Sequence, residues 1–359
     1  MYLTDLIALP KYIAGPGALS RFPKACSALG KRFVLITGEQ AGKAALPALS
    51  AALANTDFIL TGTWTYGSDC TMAHIAAICE ALQSDPPDFL VGMGGGKALD
   101  TAKACAHRLG LPVVTLPTIA STCAALSSLS VLYHEDGAFD QFLFFDSPPA
   151  LCLIDTEIIA RAPDKYLRAG MGDTVAKHLE CTFSARGDLL DHLSFMGRAL
   201  SAACYDPVLE KGAEALAQCQ AHVPGAALQY VVECIIVSTG LVSLMVQDEY
   251  NCAVAHSVCY GLALVPGVEG RFLHGDLVAY GCLVQLVMDG QTGEARRLKA
   301  FLSAIGIPTT LAELGAPIDR AALSAMLTET VSGPDMAHIP YPVDEDMIFA
   351  AMQQVEALF

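Results

Sequence analysis

The chain has 359 residues, 53% of them hydrophobic and 16% charged, which excludes a disordered or fibrous protein and leaves room for two globular domains. A net charge of −16 argues against nucleic acid or an anionic membrane as partner. Thirteen cysteines, with no C-x-x-C pair and no zinc-finger spacing, fit free thiols in a reducing cytoplasm better than a disulfide framework.

The opening residues, Met1 to Asp5, carry neither a basic n-region nor a long apolar run, so no signal peptide is expected. Tyr12-Ile13 gives a short strand signal, Gly15-Pro16-Gly17 a turn, and an Ala-rich helical piece runs to Leu29. Arg32 to Thr37 reads as a buried strand closed by Gly38-Glu39. A helix is predicted from Gln40 to Ala54, a strand over Phe58 to Leu60, and a helix from Thr71 to Leu82 that Pro86-Pro87 stops. Asp88 to Val91 is the strand that feeds a glycine run. Pro112 to Pro117 is another strand, Thr118 to Thr122 a polar loop, and Leu129 to Tyr133 and Leu151 to Ile154 complete the set. Strands alternating with helices at this spacing predict a mostly parallel α/β sheet covered on both faces.

From Thr156 onward the periodicity is helical. Helices are predicted over residues 173–184, 190–204, 207–219, 228–246, 276–288 and 293–305, with two more near the end. The apolar run from Tyr230 to Val246 is broken by Glu233, Ser238, Thr239 and Ser243, which suits a core helix better than a membrane span. Residues 1–155 are thus expected to form a nucleotide-binding α/β domain and residues 156–359 an all-helical one. The cleft between them is the default active site.

The stretch from Val91 to Lys103 carries the strongest chemistry. Gly92, Gly94, Gly95 and Gly96 follow a strand, and from Lys97 a helical stripe of Ala98, Ala102, Cys105 and Leu109 begins. Strand end, glycine turn and helix start together aim backbone N–H groups and a positive helix end at one spot, a cradle for the pyrophosphate of a nucleotide. A P-loop would need Gly at position 91 and Ser or Thr after the lysine; Val91 and Ala98 stand there. The common dinucleotide fingerprint places an acidic residue about 20 residues after the glycines. Here the candidate, Glu39, precedes them. A carboxylate at that strand end can accept from both ribose hydroxyls and would repel a 2′-phosphate; a solvated loop glutamate is the plain alternative.

Asp173, in Gly170-Met-Gly-Asp173, looks like the residue that opens a helix, either as its N-cap or as a hard oxygen ligand. His256 lies in an apolar segment and His274 just before a helix. One Asp and two His make a set for Zn²⁺ or Fe²⁺ with an open position, but separations of 83 and 18 residues carry no signature.

Motifs in order then add a resemblance. Gly94-Gly-Gly-Lys-Ala-Leu-Asp-Thr-Ala-Lys103, Pro117-Thr-Ile-Ala-Ser-Thr122, Leu129-Ser-Val-Leu-Tyr133, Gly172-Asp173, Ala255-His256, Phe272-Leu-His-Gly275 and Val278-Ala-Tyr-Gly281 resemble the glycerol dehydrogenase-like branch of the iron-containing (group III) alcohol dehydrogenases. The resemblance implies the same two-domain fold and a metal, Zn or Fe, held by Asp173, His256 and His274. It implies a dinucleotide contacting Glu39, Gly94, Gly95, Gly96, Lys97, Asp100, Thr118, Ser121, Ser127, Leu129 and Tyr133. Its chemistry is hydride transfer between an alcohol carbon and nicotinamide, with the metal as Lewis acid. A homo-oligomer is the expectation on the same ground. Lys177, one turn after Asp173, reads as an ion-pair partner or a substrate anchor.

Two departures matter. Polyol-oxidising relatives carry Asp where this chain has Cys123, and the Cys form resembles hydroxycarboxylate dehydrogenases acting on 2-oxo acids. Cys259 stands where relatives carry a second His. Glu39 favours NAD over NADP. The implied substrate is a small 2-hydroxy acid, its 2-oxo form or a 1,2-diol. Glycerol dehydrogenase proper is the first alternative. A dehydroquinate synthase-like lyase is the second, but of the Lys, Arg and Asn residues it needs, residues 246–281 hold only Arg271 and Asn251.

Overall fold

Phe33 and Leu35 face one core while Val34 and Ile36 face another, so the strand that carries them must be covered on both sides. A computed structural model, which describes residues 8–268 and 270–358, shows that sandwich. In chain order it contains β1 (Tyr12–Gly15), α1 (Phe22–Cys26), β2 (Arg32–Thr37), α2 (Glu39–Leu53), β3 (Ile59–Thr65), α3 (Met72–Leu82), β4 (Phe89–Gly94), α4 (Gly96–Leu109) and β5 (Val113–Pro117). A hairpin, β6 (Leu129–Tyr133) and β7 (Phe139–Phe144), precedes β8 (Leu151–Asp155).

Six strands pair in parallel in the order β1-β8-β5-β4-β2-β3. The register sets Thr37 beside Met93 and Gly94 beside Pro117, so the C-terminal ends of β2, β4 and β5 are neighbours. The chain steps from β2 outward to β3 and then back across to β4, a reversal of winding of the kind that opens a ligand site at strand ends. Phe22, Phe33, Phe58 and Phe89 stack together under one face of this sheet. The β6–β7 pair is antiparallel and separate from the main sheet. Its second strand has no clear sequence signal, because Phe139, Phe142 and Phe144 are all exposed and give no inward alternation.

The helical remainder begins with α5 (Thr156–Ala160), α6 (Asp164–Ser184), α7 (His192–Leu200), α8 (Asp206–Gln220), α9 (Ala226–Glu233) and α10 (Thr239–Met245). It continues with α11 (Val254–Ala263), α12 (His274–Met288), α13 (Thr292–Ala304), the single turn α14 (Leu311–Leu314), α15 (Ser324–Ser332) and α16 (Glu345–Ala357). A wide π turn, Cys234–Ser238, joins α9 to α10, and 56% of the most apolar window of this long stretch is buried inside the fold. Contacts divide the described chain into two compact units, residues 8–163 with 218–241, and residues 164–217 with 242–358. In the second unit α12 is the axis: every residue from Gly275 to Val287 is buried, as expected of a helix apolar all round.

Three sequence expectations need correction. Asp173 does not open a helix; α6 starts nine residues earlier and Asp173 is interior. Gly170 and Gly172 read as breakers, yet the helix continues through them, and at Gly172 the backbone of Gly275 packs where a side chain would stand. The segment around His256 is itself a helix, α11. Three helices rather than two follow α13, the first of them a single turn.

Candidate active site

Two glycines on α12 bring three helices into backbone contact. A Cβ on Gly275 would lie 1.8 Å from the carbonyl oxygen of Ala169 on α6, and one on Gly281 would lie 2.2 Å from that of Ala255 beside His256. Any side chain at either position would push the helices apart. His274 is next to the first contact and His256 next to the second. Asp173 lies one turn beyond Ala169. Close helix packing therefore gathers the three residues.

The donor atoms of Asp173, His256 and His274 all lie within 4.8 Å of one another. Asp173 Oδ1 stands 3.5 Å from His256 Nε2 and 3.7 Å from His274 Nε2. Bonds of about 2.0–2.1 Å at tetrahedral angles place donors about 3.3 Å apart, so little movement separates this arrangement from a ligand set. One carboxylate and two imidazoles also match Zn²⁺ or Fe²⁺ chemically.

The charges around the cluster favour a cation. Burial pushes the Asp173 carboxyl up, but its hydrogen bond to His256 and the charges of His274, His256 and Lys177 outweigh this and leave it below the usual carboxylate range. Burial pushes His256 down, but the Cys252 sulfur, the Glu180 carboxylate and the Asp173 bond leave it well above the imidazole range. The same negative charge that favours a proton on the ring also favours a cation, which must displace that proton to bind. Burial lowers His274, and Asp173 opposes that shift. Its side chain is 44% exposed, so the burial effect there is weak and the ring is reachable from solvent. Cys259, buried, sets its sulfur 3.5 Å from His274 Nδ1, and burial pushes that thiol up to about 12. Lys177 Nζ donates to the backbone oxygen and Oδ1 of Asn251 at 2.9 and 3.1 Å.

The glycine turn belongs to the other unit. Gly94 ends β4 at φ +152°, a conformation side chains avoid, and a Cβ there would meet Ala98 at 2.8 Å. Gly95 is the N-cap of α4 and has no side chain to offer the first-turn amides, the condition under which a helix end receives an anion. Thr118 N donates to Gly94 O at 3.0 Å, and Ile119, Thr122 and Ala124 border Gly95 and Gly96. The loop from Thr118 through Ser121 to Cys123 therefore lies against the turn.

Other predicted cofactor residues are engaged within the fold. Asp100 is buried, with Oδ2 accepting from Val131 N at 3.2 Å and Oδ1 2.9 Å from Lys103 Nζ. Lys103 also donates to Ser127 Oγ and to the backbone of Ala124 and Leu129. It is a buried cation tying α4 to the loop before β6. Lys97 pairs with Asp69 and covers the Tyr133 ring at 5.1 Å. Glu39 is the first residue of α2 rather than a loop residue, 76% exposed and paired with Lys43 at 2.6 Å. Sequence reasoning missed Asp69, Cys252, Asp335 and Glu180. Of these only Glu180 left a signal: it lies seven residues after Asp173, two turns along the same helix face.

The comparisons with known proteins cover both units. The sequence profile of the iron-containing alcohol dehydrogenases matches residues 10–156. A glycerol dehydrogenase of Escherichia coli is 31% identical over 349 residues, spanning 95% of this chain and 94% of that protein. Hydroxycarboxylate dehydrogenase A of another Escherichia coli strain is 37% identical over 280 residues, 77% of each chain. The crystal structure of glycerol dehydrogenase from Schizosaccharomyces pombe superposes with a TM-score of 0.88 at 27% identity, across 99% of this chain and 91% of that one.

Proposed function

Since the chain belongs to the iron-containing alcohol dehydrogenase family and is an oxidoreductase, we propose that it moves hydride between NAD and a small 2-hydroxy acid, its 2-oxo form or a 1,2-diol. The observation that carries this reading is the convergence of Asp173, His256 and His274 on one point. A divalent metal held by these three, Zn²⁺ or Fe²⁺, supplies Lewis acidity toward the substrate oxygen.

The chain's own groups do the binding and orienting. Asp173 contributes the negative charge of the donor set, and the exposed edge of His274 leaves the cluster open to a small molecule. The amides at Gly95 and Gly96 receive the pyrophosphate, and Thr118 and Ser121 border it. Glu39 takes the adenosine ribose; its charge disfavours a 2′-phosphate, so NAD is the cofactor. Cys123 selects the substrate class. A thiol offers none of a carboxylate's acceptor oxygens to a vicinal hydroxyl and does not repel a substrate carboxylate. No disulfide joins any pair of cysteines among the described residues, which supports work in a reducing compartment.

The test is a cofactor-coupled screen of the purified protein with Zn²⁺ or Fe²⁺, NADH or NADPH, and 2-oxo acids beside dihydroxyacetone. NADH oxidation by 2-oxo acids in excess of dihydroxyacetone is the expected result. The reverse order would return the chain to polyol oxidation, the reading that the 95% coverage by a glycerol dehydrogenase favours. No oxidation with any of them, with metal bound, would overturn the substrate assignment and point to a specialised substrate or to the lyase alternative.

A further inference from the structure

Helix α11 has no N-terminal cap of its own. Ala253 holds the N-cap position and makes no side-chain hydrogen bond, so the first-turn amides need an acceptor from elsewhere. It comes from α6. Glu180 Oε1 accepts from Ala253 N at 2.8 Å and from His256 N at 2.9 Å. The second oxygen, Oε2, lies 2.5 Å from His256 Nδ1. The side chain is 0% exposed, and a buried carboxylate is tolerated there because donors occupy both oxygens.

This geometry fixes a tautomer. A carboxylate oxygen only accepts, so His256 Nδ1 must carry the hydrogen. In a neutral imidazole Nε2 then holds the lone pair, and Nε2 is the atom 3.5 Å from Asp173 Oδ1. We propose that Glu180 is the positioning residue of the metal centre: one carboxylate docks the start of α11 and locks His256 with Nε2 as the ligating atom. The inference rests on the metal assignment proposed above. Carboxylates behind ligating histidines commonly act this way, and their removal typically weakens metal binding by about 10–100-fold.

A competing use of the same atoms is a second ion held by Glu180, Cys252 and His256, whose donors also lie within 4.8 Å of one another. An ion there would have to displace the hydrogen on Nδ1 and break its bond to Glu180 Oε2, the contact that holds the ring. His274 is held differently, its Nδ1 facing the Cys259 sulfur at 3.5 Å, so control by a buried carboxylate falls on His256.

Glu180→Gln sets the two duties against each other. Its single carbonyl oxygen can cap α11 or accept from Nδ1; its amide nitrogen, a donor, then faces either Nδ1, which must give up its hydrogen, or the N–H groups of Ala253 and His256, which cannot accept. Metal-stripped protein titrated with Zn²⁺, and with Co²⁺ read by its visible absorption, should show affinity lowered by about 10–100-fold. The far-UV circular dichroism of the metal-free variant should match wild type. Glu180→Asp keeps the charge and shortens the reach, so its affinity should fall between the two. Wild-type affinity in folded Glu180→Gln, or equal losses in both variants, would overturn the positioning role. Should Glu180→Gln fail to fold, Glu180→Asp decides: unchanged affinity there overturns the role and a drop supports it. His256→Ala keeps this outcome separate from failure of the metal assignment. If it retains full affinity, the assignment itself fails. If it loses the metal while Glu180→Gln does not, only the role of Glu180 fails. In the His256→Ala background Glu180→Gln should add no further loss.

Discussion

The glycine turn after β4 and the Asp/His/His cluster around α12 are built on opposite plans. The turn is contiguous: strand end, glycines and helix start follow one another within residues 89–109. The cluster is assembled from three helices whose contributions are separated by 83 and 18 residues, and it exists only because α12 touches α6 and α11. Local structure alone makes the first; tertiary packing makes the second. Glycine serves both: in the turn Gly96 leaves open space where we place a ligand, and in the cluster Gly275 and Gly281 leave room for another helix.

That difference predicts different failures for the same substitution. Gly275→Ala puts a methyl 1.8 Å from the Ala169 carbonyl, so α12 must move away from α6. Expected are a stability loss of about 1–3 kcal/mol or more and loss of metal affinity in the same variant, read by thermal melting and metal titration. Gly96→Ala puts a methyl no closer than 3.7 Å to its neighbours. Its melting temperature should barely move, while NAD affinity falls about tenfold as the methyl crowds the approaching phosphate. If both variants lose stability alike, the contrast between the two glycine roles is wrong.

Legibility in the sequence followed the same division. Strand β2 and the turn could be read almost to the residue, because a strand buried on both faces is a continuous apolar run and a glycine run after a strand has few other uses. Residue type alone suggests the proposed metal set, without any spacing signature, and the resemblance to a family is what singles it out. Asp173 reads as a helix start because Gly170 and Gly172 precede it; the facing Gly275 backbone, which needs a glycine at position 172, is not legible in the sequence. Glu180 was legible as a spacing from Asp173 but not as a role, since what it does depends on where α11 begins. Asp100, Ser127 and Leu129, which the resemblance marks as cofactor contacts, are also tied to buried Lys103, the first two through their side chains and Leu129 through its carbonyl.

A smaller effect sharpens the turn side. Glu39 is exposed and paired only one turn along its own helix, with Lys43, so its replacement should cost almost nothing in stability. Glu39→Lys should shift the ratio of kcat/KM for NADPH over NADH by about tenfold or more, the scale of one favourable charge contact exchanged for a repulsive one. An unchanged ratio would mean that the ribose lies elsewhere and that Glu39 is a solvated helix residue.

The smallest expected effect concerns charge balance. Around the turn the buried or half-buried charges come in pairs, Asp69 with Lys97 and Asp100 with Lys103. Around the cluster three carboxylates, Asp173, Glu180 and Asp335, face the histidines and a single lysine, Lys177: Glu180 raises Asp335, while His256 and Lys177 lower both Asp173 and Asp335. Asp335 Oδ2 is buried without a hydrogen-bond partner. Burial, with the Glu180 charge, pushes its carboxyl up to about 6. An unfolded aspartate titrates near 3.9. Between about 4 and about 6 the folded state therefore holds more protons, so stability falls as pH rises through that window and the whole penalty is present above it. Asp335→Asn in metal-free protein should raise stability at pH 8 by on the order of 1–2 kcal/mol, a few degrees of Tm, and the gain should shrink toward pH 4. A pH-independent gain would assign the effect to packing rather than charge. Loading Zn²⁺ supplies the positive charge that the cluster lacks, so the same substitution should then stabilise less; an undiminished gain would place the bound metal away from Asp173, His256 and His274.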